Sequence, residues 1–253
     1  MQLASVWERL RRGKDPATKA NTPLHPFDQR YGVETGGLIQ GSDLKSGHAN
    51  DAFNTAYYAM APSRFQQVMG YWIADETHPP LQDYSFVDLG CGKGRAVMMA
   101  SEFSFRQVVG VELHPALARI AKTNITAWAK ARRPACPMRI VRQDATEFAF
   151  PRGACLLYLF NPFAAPVVQR VIERIEAEFT GRPGLLDLMY FNPDAEELLD
   201  AHPGFELLWT GTMALSEEDQ AADPVVSPDD ICSVYRWVGL ANAQPCNPWL
   251  LSV

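Results

Sequence analysis

Phe86-Val87-Asp88-Leu89-Gly90-Cys91-Gly92-Lys93-Gly94-Arg95 is the stretch on which the rest of the chain turns. An apolar, β-type run from Tyr84 to Leu89 ends in three glycines at every second position, and a helical pattern follows from Lys93. Glycine supplies the positive-φ conformations of a tight turn and leaves no Cβ in the way. The helix start beyond it offers unpaired N–H groups. A strand, a glycine turn and a helix N-terminus in that order predict close approach of backbone to a ligand. The spacing is G-x-G-x-G, one residue short of the G-x-G-x-x-G dinucleotide fingerprint, which argues against NAD.

Downstream, strands and helices alternate. Strands are expected at Tyr84–Leu89, Gln107–Leu113, Met138–Gln143, Ala154–Phe160, Leu185–Phe191, Phe205–Thr212 and Ile231–Val238. Helices are expected near Arg95–Glu102, Pro115–Arg132, Ala165–Phe179 and Asp194–Asp200. Continuously apolar strands such as Cys155-Leu156-Leu157-Tyr158-Leu159-Phe160 suit a sheet covered on both faces. The last two strands have no helix between them, so the final strand should be antiparallel to its neighbours. The expected fold is α/β: a doubly wound, mostly parallel seven-stranded sheet with an antiparallel last strand, over residues 81–253. The link Met213–Asp230 holds Glu217, Glu218, Asp219, Asp223, Asp229 and Asp230 and no basic residue. It reads as a solvated loop, or alternatively as a lid that attracts a cationic substrate. Phe-Asn-Pro occurs twice, at Phe160–Pro162 and Phe191–Pro193.

Upstream, residues 1–80 form an N-terminal extension. Residues 1–30 carry Arg9, Arg11, Arg12, Lys14, Lys19 and Arg30 and read as a solvated, partly mobile arm. The stretch Tyr31-Gly32-Val33-Glu34-Thr35-Gly36-Gly37-Leu38-Ile39 mixes glycines with apolar anchors, which predicts an ordered loop; Tyr31 and Thr35 are its candidates for the ligand pocket. Ala52–Ala61 is rich in aromatics. From Pro62 a helix follows, in which Phe65, Val68, Met69, Trp72 and Ile73 make an apolar stripe.

In an open α/β sheet, ligands lie beyond the carboxyl ends of the strands, near the point where strand order reverses. Asp88 ends the first strand. The second ends in Glu112 and Leu113, with Glu112 about 20 residues beyond the glycines, where a carboxylate accepts from ribose hydroxyls. The third ends in Asp144 and Ala145, and the fourth in Asn161, Pro162 and Phe163. Read singly, Asp144 is equally a helix cap and Glu112 a surface acid. Four such features in register at four successive strand ends point to one site.

The formal net charge of −6 over 253 residues argues against a nucleic-acid partner. Five cysteines without C-x-x-C spacing fit reduced thiols in a cytoplasmic protein, with no zinc or other metal site. The N-terminus lacks the apolar core of a secretory signal, and no apolar run reaches the roughly 20 residues that span a bilayer.

Val87-Asp88-Leu89-Gly90-Cys91-Gly92-Lys93-Gly94 resembles the first motif of the class I, Rossmann-like S-adenosylmethionine-dependent methyltransferases. Gly110-Val111-Glu112, Gln143-Asp144-Ala145 and Phe160-Asn161-Pro162-Phe163 resemble the motifs that follow it, so the resemblance covers roughly residues 84 to 238. It implies S-adenosylmethionine as cofactor. Gly90, Cys91, Gly92 and Gly94 would pass around its amino-acid part and Asp88 would orient that part. Glu112 and Leu113 would meet the ribose, Asp144 and Ala145 the adenine, and Asn161 the reacting end. The fourth motif is similar to the Asn-Pro-Pro-aromatic motif of amino-nitrogen methyltransferases but has one proline. It also shares Asn and Phe with the Asn-Asn-Phe of the non-SET histone-lysine enzymes, whose cofactor-covering Tyr-Gly loop Tyr31-Gly32 resembles. On that basis the acceptor is an amine, of a protein lysine or a small molecule. Asn161, Pro162 and Phe163 are then the catalytic candidates, holding the nitrogen and shielding it, with no histidine placed as base. The alternatives are a cofactor-binding module without chemistry and a nucleotide-dependent oxidoreductase.

Overall fold

The computed structural model describes residues 25–75, 77–222 and 230–240. Seven strands make one sheet: β1 (Tyr84–Leu89), β2 (Gln107–Glu112), β3 (Met138–Arg142), β4 (Ala154–Phe160), β5 (Leu186–Phe191), β6 (Phe205–Met213) and β7 (Asp230–Trp237). Their order is β3-β2-β1-β4-β5-β7-β6. Strands β1 to β5 are parallel, and β7 lies antiparallel between β5 and β6. The chain winds outward from β1 to β3, then returns to the other side of β1 with β4. The strand order therefore reverses between β1 and β4, which is where such sheets open a crevice.

Both faces of the sheet are covered, which is why β1 and β5 are buried along their whole length. On one face Tyr84, Phe86, Leu156 and Tyr158 pack with α2 (Pro62–Ile73) and α3 (Arg95–Ala100). On the other, Val87, Leu89, Leu157 and Leu159 meet α5 (Ala165–Phe179). Helix α5 buries Val167, Val168, Val171, Ile172, Ile175 and Phe179, a single stripe at helical spacing, and each such side chain contributes roughly 1.5–3 kcal/mol. Helix α4 (Pro115–Ala131) flanks β2 and β3, while α6 (Glu196–Asp200) precedes β6. The expected stripe on α2 holds for Phe65, Val68, Met69 and Trp72, all fully buried. Ile73 departs from it and is exposed, because the next residue after Trp72 turns about 100° away around the helix.

Two expectations need correction. Residues 25–30 are not part of a solvated arm: α1 (Pro26–Tyr31) is packed on the domain and Asp28 is buried. Residues 1–24 lie outside the described residues. The acidic link is not simply a solvated loop either, since it contains α7 (Glu217–Ala222). Its Asp219 is buried and accepts from the Ser63 amide at 2.8 Å, capping the start of α2. Asp230 pairs with Arg64 and accepts from Asn192 Nδ2 at 3.0 Å. Both carboxylates are thus held by the fold. Residues 223–229, with Asp223 and Asp229, lie outside the described residues. At the far end of the sheet, buried Asp187 accepts from Trp72 Nε1 (2.9 Å) and from Arg236 Nε (2.7 Å) and Nη2 (3.0 Å), tying α2, β5 and β7 together.

Candidate active site

A cleft opens across the carboxyl tips of β3, β2, β1 and β4. Asp144 and Ala145 line its β3 end, followed by Glu112 and Leu113 from β2, then Asp88, Gly90, Cys91 and Gly92 from β1. Tyr158, Phe160, Pro162 and Phe163 close the β4 end. The fourth side comes from the N-terminal segment, which contributes Asn50, Tyr57, Tyr58 and Met60.

The glycine turn is anchored to β2. The amides of Gly90 and Cys91 both donate to the Val111 carbonyl, at 2.9 and 3.0 Å, and the Gly92 amide donates to Glu112 Oε2 at 2.8 Å. Gly90 and Gly92 have φ of 76° and 54°. A Cβ on Gly90 would overlap the Pro162 ring, and one on Gly92 the Tyr57 ring. Here the missing side chains make room for two walls of the cleft. Gly94 sits behind the wall, where it starts α3 and packs against Ala121.

Burial governs the charges. Asp88 is raised well above the usual carboxylate range by burial, with Glu112 adding repulsion. Glu112 is pushed up to about 7 by burial, against the opposing pull of amide donors from His114 (2.7 Å) and Gly92. Buried carboxylates on a cleft wall are stabilised by a ligand that brings hydroxyls or an ammonium. Asp144 accepts from the Thr146 amide at 2.9 Å, so it is a turn cap, and it faces the cleft as well. Asn50 Nδ2 donates to Asp144 Oδ2 at 2.6 Å, while Arg170 Nη2 donates to Asn50 Oδ1 at 2.6 Å. The arginine thereby fixes which way the amide points. This donor and acceptor set fits a nucleoside bearing an ammonium group.

Several predicted residues stand elsewhere. Tyr31 packs edge-on against Trp128 and Phe27, and Thr35 is fully buried; neither lines the cleft. Thr35 acts one layer behind it. Its carbonyl accepts from the Tyr57 hydroxyl at 2.6 Å, and its own hydroxyl accepts from Arg95 Nε at 2.6 Å and donates to Asp28. Asn161 also differs from expectation. With φ of 43° its side chain leaves the cleft and donates to Asp194 Oδ2 at 2.8 Å. Its backbone carbonyl accepts from the Thr55 hydroxyl, and the Pro162 carbonyl from the Thr55 amide at 3.4 Å. Asn161 therefore shapes the β4 tip, and Pro162 and Phe163 are the parts of that motif on the wall. Asn192, in the second Phe-Asn-Pro, repeats the left-handed geometry with φ of 46°.

The N-terminal segment is latched onto the glycine turn. Lys93 Nζ donates to Glu34 Oε1 and to the Gly36 carbonyl, both at 2.9 Å. The Asn124 side chain accepts from the Glu34 amide (2.9 Å) and donates to the Glu34 and Lys93 carbonyls (2.8 and 2.9 Å). Asn50, Tyr57, Tyr58, Met60, Arg95 and Tyr158 are wall residues that the sequence did not single out. The aromatic richness of Ala52–Ala61 was the one available signal. Among the described residues no group of His, Cys, Asp or Glu is arranged to hold a metal, and no helix is long and apolar enough to cross a membrane.

Residues 87–162 match a family model described as a methyltransferase domain. No curated protein matches the chain. Among solved structures, it is similar to magnesium protoporphyrin IX methyltransferase from Synechocystis PCC 6803 with bound S-adenosylhomocysteine, at 13% identity and a TM-score of 0.45 over 69% of this chain and 82% of that one. An N-methyltransferase from Bradyrhizobium japonicum WM9 is similar at 10% identity and a TM-score of 0.47, over 69% and 94%. A protein of the NADB-Rossmann superfamily from Streptococcus agalactiae is similar at 10% identity and a TM-score of 0.48, over 74% and 72%.

Proposed function

We propose that the chain is an S-adenosylmethionine-dependent methyltransferase of the Rossmann-like class I, which transfers the cofactor's methyl group to an amine nitrogen on a protein lysine or a small molecule. The observation that carries the acceptor class is the β4 end of the cleft. Phe160, Pro162 and Phe163 wall that end, an aromatic and apolar setting that suits an amine. The net charge of −6 further disfavours a nucleic-acid acceptor. Buried free thiols at Cys91, Cys136, Cys155 and Cys232 support a cytoplasmic location.

The bound cofactor supplies an activated methyl on a sulfonium. The chain's own work is to bind, align and exclude water. Glu112 accepts from the ribose hydroxyls, Asp144 from the adenine edge, and Asp88 from the ammonium. The segment over residues 50–60 acts as the cover of the site, with Tyr57 closing over Gly92. Pro162 and Phe163 wall the reacting end, where water must be kept from the acceptor lone pair. No histidine is required as base if the amine arrives unprotonated.

A second reading, a cofactor-binding module without turnover, is favoured by one observation: Thr55 already satisfies the Asn161 and Pro162 carbonyls. Both are tested by methyl-labelled cofactor offered with small amines, a lysine-bearing peptide and a cell lysate, with the product identified by mass. The expected product is an N-methylated amine. Label on oxygen, carbon or nucleic acid overturns the amine reading, and absence of transfer supports the module.

A further inference from the structure

Tyr158 lies in the middle of β4, inside a run so apolar that nothing in the sequence marks it. Its Cα is paired with that of Asp88 on β1, on the two strands between which the sheet order reverses. The residue lines the cleft and is 1% exposed. Its hydroxyl has no hydrogen-bond partner among the described residues. The ring cannot swing to find one, being held edge-on by Phe65 at 5.8 Å and against Phe86 at 5.6 Å and Phe191 at 5.8 Å.

A buried hydroxyl left unpaired is costly, and phenylalanine would fill the same space without that cost. Burial, reinforced by Asp88 and Asp230, keeps the phenol protonated, so it is a donor and an acceptor but never a phenolate base. Tyr158 and Asp88 are neighbours across the β1–β4 ladder, and both line the cleft. The nucleoside-reading groups, Glu112 and Asp144, stand over β2 and β3. The reacting end of a ligand stretched across the tips therefore falls at β1 and β4, beside Tyr158.

We propose that the Tyr158 hydroxyl receives the acceptor nitrogen, its oxygen accepting an N–H so that the lone pair is turned toward the transferable methyl. The inference rests on the methyltransferase reading above and deepens it. It is tested on the full chain by calorimetry with two probes: S-adenosylhomocysteine, and the analogue in which an amino-bearing carbon replaces the sulfur. Tyr158→Phe should weaken the amino analogue about fivefold or more while leaving S-adenosylhomocysteine within about twofold. Its thermal midpoint should stay level or rise, since an unpaired buried hydroxyl is removed. Equal loss for both probes would assign the hydroxyl to the cofactor, and no loss for either would leave it without a ligand role; each result overturns the proposal. If the unaltered chain binds neither probe, the methyltransferase reading fails and the proposal with it.

Discussion

The Thr55 hydroxyl donates to the backbone carbonyl of Asn161, joining the N-terminal segment to the tip of β4. An isolated antiparallel bridge between Asn54 and Phe163 extends the join. The wall of the cleft on this side is thus built from two parts of the chain about a hundred residues apart. Thr55→Val keeps the shape and removes the donor. It should lower unfolding free energy by about 1 kcal/mol in a denaturant titration, with S-adenosylhomocysteine affinity unchanged.

Asn161 holds a left-handed backbone and an Asp194 hydrogen bond, so its replacement should act on stability first. Asn161→Ala should cost about 1–2 kcal/mol, and Asn161→Gly less, because glycine adopts positive φ freely. Thermal melts of the two variants check this. An alanine variant as stable as the unaltered chain would return the side chain to a catalytic role.

Arg95 ties α3 to the N-terminal segment through Thr35, the Met60 carbonyl at 3.2 Å and Asp28 at 3.6 Å. Arg95→Met leaves Asp28 buried with its amide donors and hydroxyl but without its cation. A loss of about 3 kcal/mol or more is expected in chemical denaturation. The same variant should loosen Tyr57, whose hydroxyl rests on Thr35, and make residues 25–60 more open to limited proteolysis.

Much of this was legible in the sequence because the signal was local. Tyr84–Leu89 and Ala154–Phe160 are strands by their continuous apolar runs, and their ends agree with the structure. Glu112 and Asp144 line the cleft because one closes β2 and the other caps the turn just beyond β3, positions that the strand pattern alone locates. What stayed hidden depends on long-range geometry. The sign of φ at Asn161 decides where its amide points, and spacing carries no such information. The chain Arg170, Asn50, Asp144 joins three distant positions. Tyr31 and Thr35 were read as pocket residues from an ordered loop, but the loop turns them inward to Trp128 and Arg95. Tyr158 in an apolar strand reads as core, which its ring is.

Arg170→Met should leave the Asn50 amide free to rotate and weaken S-adenosylhomocysteine binding about threefold, with little change in stability, since α5 keeps its buried stripe. Titration calorimetry reads the first and a thermal melt the second.

The raised Glu112 gives two opposite pH trends. Protonated Glu112 favours the folded chain, so this stabilisation is complete below the ordinary carboxylate value of 4.5 and is lost as pH rises through about 7. The loss is on the order of 3 kcal/mol. Ribose hydroxyls favour the ionised form, so cofactor affinity should instead rise over the same window, with proton release on binding. Glu112→Gln should flatten both slopes.

The most direct measurement is titration of S-adenosylhomocysteine into the unaltered chain and into Glu112→Ala at pH 8. The account predicts saturable one-to-one binding that the substitution weakens about tenfold or more, with folding retained. Equal affinity for the two proteins would contradict the placement of the cofactor across the tips of β2 and β1.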